Sequence, residues 1–138
     1  MKKIIQFLDS RKEYSLMIVR IIAGWRLLSG TWPFVIQTKS ITGVVDFFAQ
    51  VGIPIPSISA YLAVYAQFVC ALLFIIGFWV RPAAIVMIFY FIVAIMVVHL
   101  NDPISKSFQA WSLLAFSVLL LFSGAGRIAL DSVHRKNN

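Results

Sequence analysis

The chain has 138 residues, of which 61% are hydrophobic and 12% charged, with a mean hydropathy of +0.92. Soluble domains average about 45–50% apolar and about 25% charged, and a chain this short buries only about 70% of its surface. An ordinary soluble enzyme, a disordered tail and a disulfide scaffold are therefore excluded, and an integral membrane protein is indicated. The net charge of +7 does not point to nucleic acid. Ten of its twelve Lys and Arg residues lie outside or at the ends of apolar runs, where they set membrane topology, and no nucleic-acid recognition motif is present.

The first apolar run is Tyr14–Ile36. It is too long for a signal peptide, contains Arg20 and Arg26, and lacks a small-x-small cleavage site. About 20 apolar residues cross a bilayer core, so this run is read as the first of four spans. Next come residues 37–57, a longer connection. Within it Ile41–Gln50 (ITGVVDFFAQ) has apolar residues at helical spacing and one charge. That pattern predicts a short amphipathic helix at the membrane surface, with Asp46 toward water and Phe47 and Phe48 toward lipid or roofing the bundle. Pro54 and Pro56 then end any helix and favour extended backbone.

The second span is Ile58–Val80 and the third is Pro82–Leu100, joined at Arg81–Pro82 as a tight antiparallel hairpin. Proline is tolerated at the start of a helix because its missing N–H would be unpaired there anyway. After NDPISKS, the fourth span runs from Phe108 to Gly124. The reading is an all-α integral membrane four-helix bundle, a single membrane domain over 1–138, with a short interfacial helix between spans one and two.

Eight Lys and Arg residues fall on one side of this arrangement: Lys2, Lys3, Arg11, Lys12, Arg81, Arg127, Arg135 and Lys136. Two, Lys39 and Lys106, fall on the other. The positive-inside rule then places both termini in the cytoplasm.

Charges within a span are costly and are functional candidates by default. Arg20 lies about 9 Å into its helix and can snorkel. Arg26 lies near the midplane, about 18 Å from one end of the run and about 15 Å from the other. Its donors must find acceptors in the bundle, in a ligand or in a partner. The same depth count places Gln67, Tyr90 and Ser117 near the middle of their spans. Together with Arg26 they form a candidate polar layer for ligand or partner binding, with Gln67 the expected acceptor for Arg26. For Gln67, Tyr90 and Ser117 the plainer alternative is a hydrogen bond to neighbouring backbone. His99, near the outer surface beside Asp102, is a further candidate because its pKa lies near neutrality. Gln109 and Trp111 open span four at the same level. Cys70, the one cysteine, shares a face with Ala66, Leu73 and Gly77, which suits helix packing. No Cys/His cluster suggests a metal, and no motif suggests an intrinsic cofactor.

These residues resemble the DoxX family of four-helix membrane proteins. The likeness rests on Arg20, Gly24 and Gly30 in span one, on FFAQVGIPIP, on Gly77 and Arg81 in GFWVRPAA, and on GAGRIALD from Gly124 to Asp131. It runs from about Ser15 to Asp131. Gln67 and Gln109 stand where the family often carries Glu, and Trp32 and Pro33 stand where it often has Lys. A proton-coupled role through those carboxylates does not transfer to amides. The resemblance implies small subunits of a bacterial or archaeal inner membrane, some in quinone-linked sulfur oxidation systems, others in complexes that handle thiol and oxidative stress. A neighbouring group with paired cysteines does not fit a chain with Cys70 alone. The expectation is an accessory inner-membrane protein that binds membrane lipids or another lipid-like molecule, a quinone among the candidates, or a partner subunit. One rival is a subunit of a quinone-linked oxidoreductase with its redox centre in the partner, and another is a purely structural or assembly subunit. The chain by itself is not expected to be an enzyme.

Overall fold

The structure is a computed structural model. It describes residues 2–36, 41–98, 103–124 and 126, with side chains from Tyr14 onward except those of residues 104 and 106. Five helices follow one another: α1 (Lys2–Val35), α2 (Thr42–Gln50), α3 (Pro56–Ile76), α4 (Val80–Val98) and α5 (Ile104–Ser123). The four long ones form a ring in which α1 packs on α3, α3 on α4, α4 on α5, and α5 on α1. Two of these contacts are extensive, α1 with α3 and α4 with α5. The α1–α5 contact is the sparsest of the four.

One apolar core joins all four long helices. Leu27 of α1, Phe74 of α3, Met87 of α4 and Leu120 of α5 meet in it, each almost fully buried. The outside of the ring is also apolar: Ile18, Leu62, Val69, Phe89, Met96 and Phe122 all point outward. Only 28% of the apolar window of α3 and 33% of that of α4 is buried inside the protein. A core helix of a soluble protein would be mostly covered, so these helices require an apolar solvent on their outer faces. At 21 and 19 residues they are about 32 and 29 Å long, close to the roughly 30 Å of a bilayer's hydrocarbon. The fold is an all-α membrane four-helix bundle.

The tight α1–α3 contact has a specific cause. A β-carbon added to Gly24 would stand 2.7 Å from Ile75 Cγ1 and 2.9 Å from the carbonyl oxygen of Ala71. Only glycine lets the two backbones come this close, the arrangement that membrane helices use in place of hydrophobic drive. Cys70 and Ala71 are buried in the same region of α3, and Cys70 packs in the core.

The α3–α4 hairpin turns earlier than the expected Arg81–Pro82 joint. Gly77 adopts a left-handed φ of 77°, and the Gly77 and Phe78 N–H groups both donate to the carbonyl of Leu73, at 2.8 and 3.1 Å. This glycine-capped ending stops α3 at Ile76. Arg81 and Pro82 consequently lie in the first turn of α4, where a proline costs no helical hydrogen bond.

At the opposite end, α2 lies over the bundle as a short helix close to the expected Ile41–Gln50. Phe48, Val44 and Val45 pack with Phe34 and Val35 against Ile41, Ala60 and Val64. Asp46 and Phe47 face outward. Between the two prolines the backbone is left-handed rather than extended, with Ile55 at φ 49°, ψ 64°. That conformation is strained for a β-branched residue. Hydrogen bonds on either side hold it: Ser59 Oγ donates to the Pro54 carbonyl at 2.8 Å, and Ser59 N–H to the Ile55 carbonyl at 3.0 Å.

Candidate functional site

Of the candidate polar layer Arg26, Gln67, Tyr90 and Ser117, two members take hydrogen-bond partners outside it, Arg26 with Gln109 and Ser29, and Ser117 within its own helix. Ser117 is buried on α5, and its hydroxyl donates to the Leu113 carbonyl of its own helix at 2.8 Å. This is the plainer alternative, local backbone bonding. Tyr90 is half-buried on α4 and sits edge-on to Phe91, with ring centroids 5.2 Å apart at 88°. Gln67 is half-buried on α3. His99 lies outside the described residues.

Arg26 lies at the α1–α5 seam, on the exposed side of α1. Its Nη2 donates to Gln109 Oε1 of α5, and its Nη1 to Ser29 Oγ at 3.3 Å. The expected acceptor, Gln67, is replaced by Gln109. The reason is rotational. The tight α1–α3 packing takes up the face of α1 that carries Gly24 and Leu27. Arg26 therefore points away from it, toward the neighbour on the other side. Sequence depth alone gives a level in the membrane but not a direction around the helix axis.

The level also shifts. Arg26 lies nine residues before the end of α1, roughly 14 Å. Gln109 lies five residues after the start of α5, roughly 8 Å. The guanidinium, drawn to Gln109, thus stands in the half of the bundle nearer α2. Ser29 completes the cluster by donating its hydroxyl to the Arg26 carbonyl at 2.9 Å. Trp32, Phe108 and Trp111 are exposed on the same two helices, as aromatic side chains near a membrane surface commonly are, and Trp25 is exposed deeper on α1.

A second feature is a shallow apolar groove on the outer face of α3. It is lined by Ser57, Ile58, Tyr61, Leu62 and Tyr65, with Tyr61 and Tyr65 stacked at 6.4 Å. Among the described residues no group of His, Cys, Asp and Glu is placed to hold a metal ion.

The fold defines a class: small membrane proteins built as an all-α four-helix bundle. Comparison with known proteins makes the class specific. The DoxX family pattern matches residues 15–100, and the chain is 31% identical over 98 residues to the inner membrane protein YphA of Escherichia coli strain K12, covering 64% of this chain and 70% of that protein. The chain belongs to the DoxX family. The match covers α2, α3, α4 and most of α1 and stops before α5, so Gly124–Asp131 lies beyond it. No solved structure matches the chain.

Proposed function

We propose that this protein is an inner-membrane accessory protein that holds a lipid-like molecule at the α1–α5 seam, with both termini in the cytoplasm. The observation that carries this reading is the Arg26–Gln109 pair, a cation with an amide partner placed where the ring of helices is least closed. A guanidinium in apolar surroundings is stabilised by every acceptor it can reach. Its two hydrogen bonds to Gln109 and Ser29 leave N–H groups for a third molecule with an acidic or carbonyl head. Membrane lipids and quinones both have such a head on an apolar tail. The inner-membrane description of its Escherichia coli relative and the distribution of Lys and Arg support the location and the orientation.

The test is gentle purification from native membranes, followed by mass spectrometry of everything that comes with the protein. Wild type is expected to retain a lipid-like molecule in stoichiometric amount, and Arg26→Leu to insert normally but lose it. A variant that keeps every native component overturns the proposal. Loss of a partner protein instead replaces the lipid with a membrane subunit at the same seam. Orientation is read separately by cysteine labelling in a Cys70→Ser background. Lys39→Cys and Lys106→Cys should react from outside, and Arg81→Cys from the cytoplasm. Reaction of all three from one side contradicts the four-span topology.

A further inference from the structure

Gly30 lies four residues after Arg26 on α1, so the two share a face of the helix. A β-carbon added to Gly30 would meet nothing within 4 Å, and the residue is exposed. The same construction at Gly24 collides with α3. These two glycines of one helix therefore serve opposite ends. Gly24 brings α3 close, whereas Gly30 leaves space above the guanidinium, on the side toward α2 and the membrane surface.

The chemistry below that space is one-sided. Arginine can only donate, so the Gln109 carbonyl oxygen must turn toward Arg26 and the Gln109 amino group must turn away from it. Ser29 Oγ accepts from Arg26 and gives its proton to the Arg26 carbonyl. What remains to a visitor is the unused N–H groups of Arg26 and the amino group of Gln109. These are all donors and carry one positive charge; the second lone pairs of Gln109 Oε1 and Ser29 Oγ are the acceptor capacity left beside them. None of the side chains in the cluster is a carboxylate. Such a site favours an anion with several acceptor oxygens over a neutral carbonyl, which offers only one at each end. The guanidinium stands roughly 8 Å below the start of α5, within reach of a lipid head drawn slightly inward.

We infer that the seam binds an anionic phospholipid by its phosphate, which enters over Gly30 and is held by Arg26 and Gln109. The inference rests on the reading that the seam holds a lipid-like molecule, and it names that molecule's class. Gly30 is the determinant of access. Trp32 and Phe108, exposed nearby in sequence to the two ends of the cluster, supply apolar surface for the glycerol and the first part of the acyl chains.

The full-length protein, stripped of lipid in detergent, is offered equal amounts of phosphatidylglycerol and phosphatidylcholine with the same acyl chains. Bound lipid is counted by native mass spectrometry. Phosphatidylglycerol is expected to be retained about fivefold over phosphatidylcholine, the preference expected for one basic side chain facing an anionic lipid. Arg26→Leu should bring the ratio to about one. Gly30→Leu should lower phosphatidylglycerol retention to the level of Arg26→Leu, whereas Gly30→Ala, which leaves most of the space open, should keep it. An equal preference in wild type and Arg26→Leu overturns the inference, as does undiminished retention by a folded Gly30→Leu. Should Gly30→Leu fail to fold, the Arg26→Leu comparison decides alone. A parallel arm offers decylubiquinone in phosphatidylcholine. Arg26-dependent retention of the quinone without a phosphatidylglycerol preference overturns the phospholipid and leaves the lipid-like reading standing. Arg26-independent behaviour toward both removes both.

Discussion

The two sides of α1 teach different lessons. Toward α3 the helix presents Gly24 and packs backbone against backbone, with Ala71 and Ile75 filling the contact. Toward α5 it presents Arg26, Ser29 and Gly30, touches its neighbour sparsely, and joins it through a side-chain hydrogen bond. In lipid there is no hydrophobic gain from pressing helices together, so close packing must come from shape. Where shape is complementary, the seam is closed and apolar. Where it is not, a polar bridge spans the opening. The first arrangement stabilises the bundle, and the second leaves room for something else.

The largest effect is expected at the closed seam. Gly24→Leu should drive α1 and α3 apart and lower the stability of the bundle by at least about 3 kcal/mol, the upper range for overpacking. Unfolding in mixed detergent micelles measures it. Gly24→Ala should cost less, about 1–3 kcal/mol. Combining Gly24→Ala with Ile75→Ala should fail to restore stability, because the Ala71 carbonyl stands 2.9 Å from the new methyl whatever the side chain at 75. Full rescue by Ile75→Ala would mean that the seam is a side-chain fit rather than a backbone approach.

At the open seam the same measurement should give smaller numbers. Arg26→Leu removes a cation whose insertion at a helix centre costs about 2.5–3.5 kcal/mol and less toward the ends. Membrane insertion should therefore improve rather than decline. The coupling between Arg26 and Gln109, read from Arg26→Leu, Gln109→Leu and the double variant, should be about 0.6 kcal/mol and no more than about 2. A coupling as large as the Gly24 effect would make Arg26 a structural rivet and close the comparison. Ser117→Ala is expected to have the least effect, within about 0.5 kcal/mol. Its hydroxyl bonds only within α5, and such bonds add little to a helix.

Much of this architecture is legible in the sequence, and what is not legible has a physical reason. Apolar run lengths give the helices, because hydrocarbon thickness fixes how many residues are needed. The ITGVVDFFAQ pattern gives α2 for a different reason, since apolar residues at helical spacing put one face of a short helix against the bundle. The hairpin turn moves from Arg81–Pro82 to residues 77–79 because the glycine cap at Gly77 stops α3 before the proline acts. Ile55 takes a left-handed conformation because Ser59 and its neighbours tie down a turn that proline statistics alone make extended. The site is less legible. Arg26 stands out by charge and depth. Its partner depends on which way α1 is rotated, and that is decided by Gly24 against α3. The resemblance in span one already singles out Gly24 and Gly30 together. That one is a contact and the other a gap becomes visible only when α3 and α5 are in place.

The central claim is that α1 is locked to α3 and loosely held to α5, and interhelical distances test it most directly. In a Cys70→Ser background, spin labels at Ile21 and Leu72 report on the first seam, and labels at Ile22 and Leu119, both exposed and clear of the Gly30 entry, report on the distance between α1 and α5, with the protein in lipid nanodiscs and pulsed dipolar spectroscopy as the readout. The account predicts a narrow distance distribution across α1–α3. It predicts a broader one across α1–α5, which narrows when phosphatidylglycerol is added and does not narrow in Arg26→Leu. Two equally narrow distributions, unchanged by lipid, would show that the ring is closed all round, and the open seam would have to be abandoned.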